Sequence, residues 1–161
     1  MVIPVEGKDL TLTTPWGLFN HRAGCLVFKD NQVLLEKAIG DDGFWFTPGG
    51  RIKFQENSKD TVAREIEEEL FVKPVSIDLA AILENFFCFR GKDFHEVCFY
   101  YRVTLPESFV LPTKDKDGNP ALFEWHKLDI LLELDIKPNF FKSRMDEFKT
   151  GVTHILHDDR A

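Results

Sequence analysis

The stretch TPGGRIKFQENSKDTVAREIEEELFV, residues 47–72, sets one amphipathic helix between two β-rich blocks, and this order constrains the fold more than any other feature. Ser58 is the expected N-cap, with Asp60 in the first turn complementing the helix dipole. At about 100° per residue, Val62, Ala63, Ile66 and Leu70 form a stripe that can pack on a sheet. Glu65, Glu68 and Glu69 fall on an adjacent arc, and Glu67 points elsewhere. Like charges at these spacings cost about 0.2–0.5 kcal/mol per pair. Their position near the helix C-terminus adds about 0.3–1 kcal/mol per charge. Arg64 offsets part of this through Glu68, four residues on. A hard divalent cation, which prefers carboxylate oxygens and shares its remaining positions with water and phosphates, reverses the sign of every term. A solvated acidic face is the alternative reading of the same residues.

Around this helix the pattern is β-rich. Residues 21–28 and 32–37 read as a hairpin, GDDG at 40–43 as a turn, and SIDLAAILENFFCF and HEVCFYYRVTL as a second hairpin about RGKD. LPTKDKDGNPALF is loop-like, EWHKLDILLEL restores order, and KPNFFKSRMDEFK reads as a closing amphipathic helix. Strands, a central helix, strands and a terminal helix predict an α/β architecture with a mixed β-sheet and helices on its faces. The 161 residues read as a single domain, 1–161, without repeats or linkers.

A formal net charge of −7 argues against adhesion to nucleic-acid polymers, which rests on Lys and Arg. No stretch approaches the roughly 18 apolar residues of a membrane span, and the N-terminus lacks a signal-peptide pattern, so a cytoplasmic location without membrane attachment is expected. Cys25, Cys88 and Cys98 lie in apolar runs without metal-like spacing and read as reduced core residues.

Gly50, five residues, Glu56, seven residues, then Arg64, Glu65, Ile66, Glu68, Glu69 and Val72 match the signature of the Nudix hydrolases, which the chain therefore resembles. The family cleaves nucleoside diphosphates linked to another moiety. Only the Gly before the last aliphatic position departs, replaced by Phe71. The resemblance implies an α/β/α sandwich and a Mg²⁺- or Mn²⁺-dependent hydrolase of a phosphoanhydride bond in a small nucleotide or nucleotide-derived pyrophosphate. By position it implies Glu68 and Glu69 as metal ligands, Glu65 as ligand or general base, Glu56 assisting, Gly50 as a carbonyl ligand and Arg64 orienting the carboxylates. It also implies a possible homodimer. A non-catalytic Nudix-like nucleotide sensor is the alternative. Phe71 is expected to resist the left-handed conformation that the family Gly adopts, extending the helix or ending it differently.

Outside the signature, Arg22, Lys37, Arg51 and Arg90 are candidates for phosphate oxygens, and Trp16, Phe44, Trp45, Phe86, Phe87 and Trp125 for stacking on a base. His95 and Glu96 interrupt an apolar strand, and alternation places Glu96 on the face of Cys98 and Tyr100. This makes Glu96 a candidate second base, metal ligand or substrate-binding residue, with a polar strand end near a turn as the alternative. Glu124, Asp115 and Asp117 are further acidic candidates. Cys88 stands where some family members carry a Pro or Tyr that marks their substrate subclass, so neither subclass is indicated.

Overall fold

Two long strands carry the architecture: β7 (Ser76–Phe89) and β8 (Lys92–Thr104) pair antiparallel, as their alternation predicts. Beside β8 runs β2 (Gly17–Leu26) in parallel, followed at the sheet edge by β1 (Thr11–Thr14). At the opposite edge β10 (Thr153–Asp159) runs parallel to β7. The sheet order is β1-β2-β8-β7-β10, with β6 (Gly49–Arg51) also paired to β2. A smaller antiparallel sheet contains β3 (Phe28–Lys29), β4 (Gln32–Lys37), β5 (Trp45–Phe46) and β9 (Phe123–Lys127). The chain is seen as a computed structural model that describes residues 9–40 and 43–160. The expected turn at 40–43 includes Asp41 and Asp42, and the expected absence of a signal peptide concerns residues 1–8; both lie outside the described residues.

Helix α1 (Ser58–Leu70) buries Val62, Ile66 and Leu70 against Ala23, Cys25, Val27, Tyr101 and Val103. Each such aliphatic side chain contributes about 1.5–3 kcal/mol when fully buried. On the other face, Leu26, Leu83, Tyr100 and Ile155 pack with Trp45, Phe140, Phe141 and Phe148. The last three come from the segment holding α2 (Phe141–Arg144) and a 3-10 turn at Met145–Lys149. Helical layers on both faces of a mixed sheet give the expected α/β/α sandwich. No helix among the described residues is long and apolar enough to cross a membrane.

Four local expectations are corrected. The N-cap is Asn57, whose side chain accepts from the Asp60 amide at 2.8 Å in an extended backbone, while the Ser58 hydroxyl lies 2.6 Å from the Tyr101 hydroxyl. In the helix stripe, Thr61 is buried and Ala63 only half-buried. The closing helix is short and broken, and the chain continues into β10, where Ile155 is the one buried residue and supplies little hydrophobic signal. Cys25 and Cys98 are buried as expected, but Cys88 is exposed near the end of β7.

Candidate active site

The loop from β6 into α1 is organised by Arg64. Its Nε donates to Glu56 Oε1 at 2.8 Å and its Nη2 to Glu56 Oε2 at 3.1 Å; Nη1 donates to Glu65 Oε1 at 2.6 Å. Nη2 also reaches the Arg51 carbonyl at 3.2 Å. Glu56 Oε2 accepts further bonds from the Lys53 amide at 3.0 Å and the Thr61 hydroxyl at 2.9 Å. These bonds, Arg64 first, hold the Glu56 carboxyl down at about 2, and Glu56 in turn raises the Arg64 pKa. Both Glu56 oxygens are therefore engaged in latching the loop to the helix. Glu68 is half-exposed and lies 3.6 Å from Arg64 Nη1, a peripheral contact.

Glu69 sits differently. It is half-buried, and its Oε2 is fully buried without a hydrogen-bond partner. Burial, reinforced by the Glu36 and Glu65 carboxylates, pushes its pKa up to about 9. Glu36, on β4, is pushed up to about 7, again by burial first, with Arg22 opposing and Glu65 adding to the rise. Gly50 completes the arrangement, because a Cβ there would collide with the Glu65 carboxylate. The glycine lets this carboxylate lie directly on the backbone of β6. Among the described residues, no three His, Cys, Asp or Glu side chains already converge as a ligand set, since Arg64 holds Glu56 and Glu65. The donors nevertheless fit a hard cation: all are oxygens, one is buried and orphaned, and a cation would relieve the repulsion among Glu36, Glu65 and Glu69.

A cleft of about 610 Å³ opens over β2, β8 and β7; the helix carboxylates do not line it, but Gly49 and Arg51, the neighbours of Gly50, do. Arg22, Arg51 and Glu96 all line it, as do the stacking candidates Phe44 and Phe87. Burial works against the Arg22 charge, but its acidic surroundings, Glu96 first and Glu65 among them, outweigh this and raise its pKa. Arg22 thus lies electrostatically between the cleft and the helix carboxylates. Other candidates are elsewhere. Lys37 lies 5.5 Å over the Trp45 ring and Arg90 5.1 Å over Phe89. Trp45 and Trp125 belong to the packed cores, Phe86 pairs with His95, and Trp16 is exposed at the β1–β2 turn. Asp115 accepts from the amides of Asp117 and Asn119 and shapes an exposed loop; Glu124 lies 3.7 Å from His126. Sequence reasoning missed Asn20, Asn85, Phe94 and His157 in the cleft. Asn20 precedes His21 and Arg22, and Asn85 follows Glu84, so neither stands out as a lone polar residue in its strand.

Phe71 overturns the expectation that it would resist the left-handed conformation. It closes α1 at φ 56°, ψ 36°, so the helix ends where a Gly would end it.

A family model described as the NUDIX domain matches residues 19–146. The chain belongs to the NUDIX family. This family comprises pyrophosphohydrolases and typically depends on a divalent metal. Within it, the chain is 37% identical over 70 residues to diphosphoinositol polyphosphate phosphohydrolase 2 of Rattus norvegicus, covering 42% of this chain and 39% of that protein. The match thus spans about two fifths of the relative's length. Among solved NUDIX-fold structures, a mutator MutT protein from Bacillus halodurans superposes with a TM-score of 0.68 at 22% identity, covering 87% of this chain and 90% of that one. An Ap4A hydrolase from C. elegans gives 0.57 at 16% identity, over 80% and 94%. An ADP-ribose pyrophosphatase from Streptococcus suis gives 0.54 at 17%, over 84% and 98%. At these identities the likeness is one of fold.

Proposed function

We propose that this NUDIX protein hydrolyses a phosphoanhydride bond in a nucleotide-derived pyrophosphate, using Mg²⁺ or Mn²⁺ held by Glu68 and Glu69 with the Gly50 carbonyl, and Glu65 as the general base. The observation that carries the reading is the orphaned, buried Oε2 of Glu69, set among Glu65 and Glu36, whose effect the charge of Arg22 offsets only in part. Within a folded domain such an oxygen is costly unless a ligand satisfies it. When bound, the cation neutralises phosphate oxygens and lowers the pKa of a water molecule.

The side chains divide the remaining work. Arg64 fixes Glu65 through Oε1, leaving Oε2 to take a proton from the attacking water. As the water oxygen bonds to phosphorus, the bridging P–O bond breaks and the departing phosphate carries its electron pair. Glu56 holds the loop so that Gly50 stays beside Glu65. Glu68, half-exposed, is free to swing from Arg64 toward the cation. Arg22 and Arg51, which line the cleft, bind phosphate oxygens, and Glu96 contacts the rest of the substrate.

Release of phosphate or of a nucleotide product from nucleoside di- and triphosphates, nucleotide sugars and dinucleoside polyphosphates tests this with Mg²⁺, with Mn²⁺ and with chelator. Metal-dependent turnover abolished by Glu69→Gln supports the assignment; turnover unaffected by chelator would end it.

A further inference from the structure

Strand register lines up polar residues across the floor of the cleft. Thr11 faces Asn20, Asn20 faces Glu96, Glu96 faces Asn85, and Asn85 faces His157, a single row across β1, β2, β8, β7 and β10. Asn20, Glu96 and Asn85 are only 4%, 7% and 5% exposed, yet all three line the cleft. The Thr11 hydroxyl donates to Asn20 Oδ1 at 2.9 Å, which turns the amide so that Nδ2 is its remaining hydrogen-bonding group. Asn85 Oδ1 has no partner. Among the described residues, Glu96 makes no hydrogen bond and no close ion pair, and the charge of Arg22 offsets part of the cost of its burial. A buried carboxylate flanked by an unsatisfied amide is unfavourable in an empty fold, and a ligand that satisfies both gains accordingly.

The surroundings describe that ligand. Phe87 and Phe94, one step outward along the strands, stack on each other with centroids 4.9 Å apart, and Phe44 meets Phe89 edge-on at 6.4 Å. Together they give the cleft flat apolar walls suited to an aromatic ring. Its cations Arg22, Arg51 and Lys137 are matched by Glu96, Asp135 and Asp159, so a heavily phosphorylated ring finds no excess of positive charge. Arg22 follows Asn20 by two residues on the same face of β2, about 6.6 Å along the strand. A nucleotide bound at the row would therefore direct its phosphates past Arg22.

We propose that the row Asn20–Glu96–Asn85 selects a guanine-type base, whose edge offers two adjacent N–H groups beside a carbonyl. Glu96 accepts from the ring N–H and the exocyclic amino group, one oxygen to each. Asn85 Oδ1 takes the second amino hydrogen, and Asn20 Nδ2 donates to the carbonyl. Directly opposed residues on neighbouring strands stand about 4.5–5.5 Å apart, a spacing one purine edge can bridge. Adenine presents one amino group beside a ring acceptor, which leaves a Glu96 oxygen unpaired and sets a lone pair against it. The selection names the substrate class of the hydrolase site and rests on that reading.

Calorimetric titration of GDP, IDP, ADP and inositol hexakisphosphate, with chelator present so that binding is measured without turnover, tests the row. Wild-type protein should bind GDP at least about tenfold more tightly than ADP, the size of one bidentate base contact, with IDP between them. Inositol hexakisphosphate should bind more weakly than GDP. Glu96→Gln should bring GDP close to parity with ADP while ADP binding persists. ADP binding as tight as GDP in wild type, a GDP preference surviving in Glu96→Gln, or inositol hexakisphosphate as the tightest ligand would each overturn the proposal. The wild-type comparison needs no variant to fold. Metal-dependent release of phosphate or of a nucleotide product, measured separately, distinguishes the two failures: turnover with equal purine binding removes the base selection alone, whereas guanine-selective binding without turnover removes the hydrolase reading.

Discussion

Replacing Phe71 by Gly and by Ala should give an order of stability opposite to helix propensity. Phe71 holds φ 56° and ψ 36°, a conformation costing a non-glycine residue about 1–2 kcal/mol. Its side chain is 56% exposed, so less than half of a full Phe burial, roughly 1 kcal/mol, is at stake. Phe71→Gly loses that contact and relieves the backbone, leaving stability within about 1 kcal/mol of wild type. Phe71→Ala loses the contact and keeps the strain. The Gly variant should therefore exceed the Ala variant by about 1 kcal/mol, or about 2–4 °C in Tm for a domain of this size. In a right-handed helical position Ala would be the more stable by about 0.8–1.0 kcal/mol. Thermal and urea unfolding of both variants decide it, and an Ala variant as stable as the Gly variant would refute the left-handed assignment.

Other consequences can be checked on the same protein. Asn57→Ala removes the N-cap of α1 and should cost about 1 kcal/mol in urea unfolding. Gly50→Ala should fold, because the Glu65 carboxylate can swing away from the new Cβ, but should lose at least about tenfold in turnover; Gly49→Ala sets a Cβ against the Ala23 carbonyl of the backbone and should lose stability instead. Burial lowers the pKa of His126 below 6.5 despite Glu124, and its Nε2 is buried beside Trp45 without a hydrogen-bond partner. The unfolded chain then binds the proton more readily, so this contribution is present above pH 6.5 and is lost as pH falls through the lowered folded value. Unfolding followed from pH 7.5 to 5 should show a loss that His126→Asn reduces.

The signature around α1 was legible as a fixed spacing, and helix geometry accounts for one contact within it, Arg64 with Glu68 four residues on. The roles within it were less legible. Spacing suggested Arg64 with Glu68, which do meet at 3.6 Å, but did not reveal the bidentate pair with Glu56, in a loop whose path the helical period does not describe. Phe71 misled because intrinsic preference was weighed without the surrounding loop, which over-determines that residue's conformation. The cleft row was hidden for another reason. Asn20, Glu96 and Asn85 lie far apart in sequence and meet only through strand register, which alternation within each strand does not determine. Strand β10, with one buried residue, left too faint a period to be read.

Whether the carboxylates of α1 hold a divalent cation over a pyrophosphate is read from Mn²⁺ binding, by electron paramagnetic resonance or calorimetry, to wild-type protein and to Glu69→Gln, alongside phosphate or nucleotide release by the same samples. Wild type should bind Mn²⁺, Glu69→Gln should weaken binding by at least about tenfold, and turnover should fall with it. Equal Mn²⁺ affinity and undiminished turnover in Glu69→Gln would contradict this arrangement.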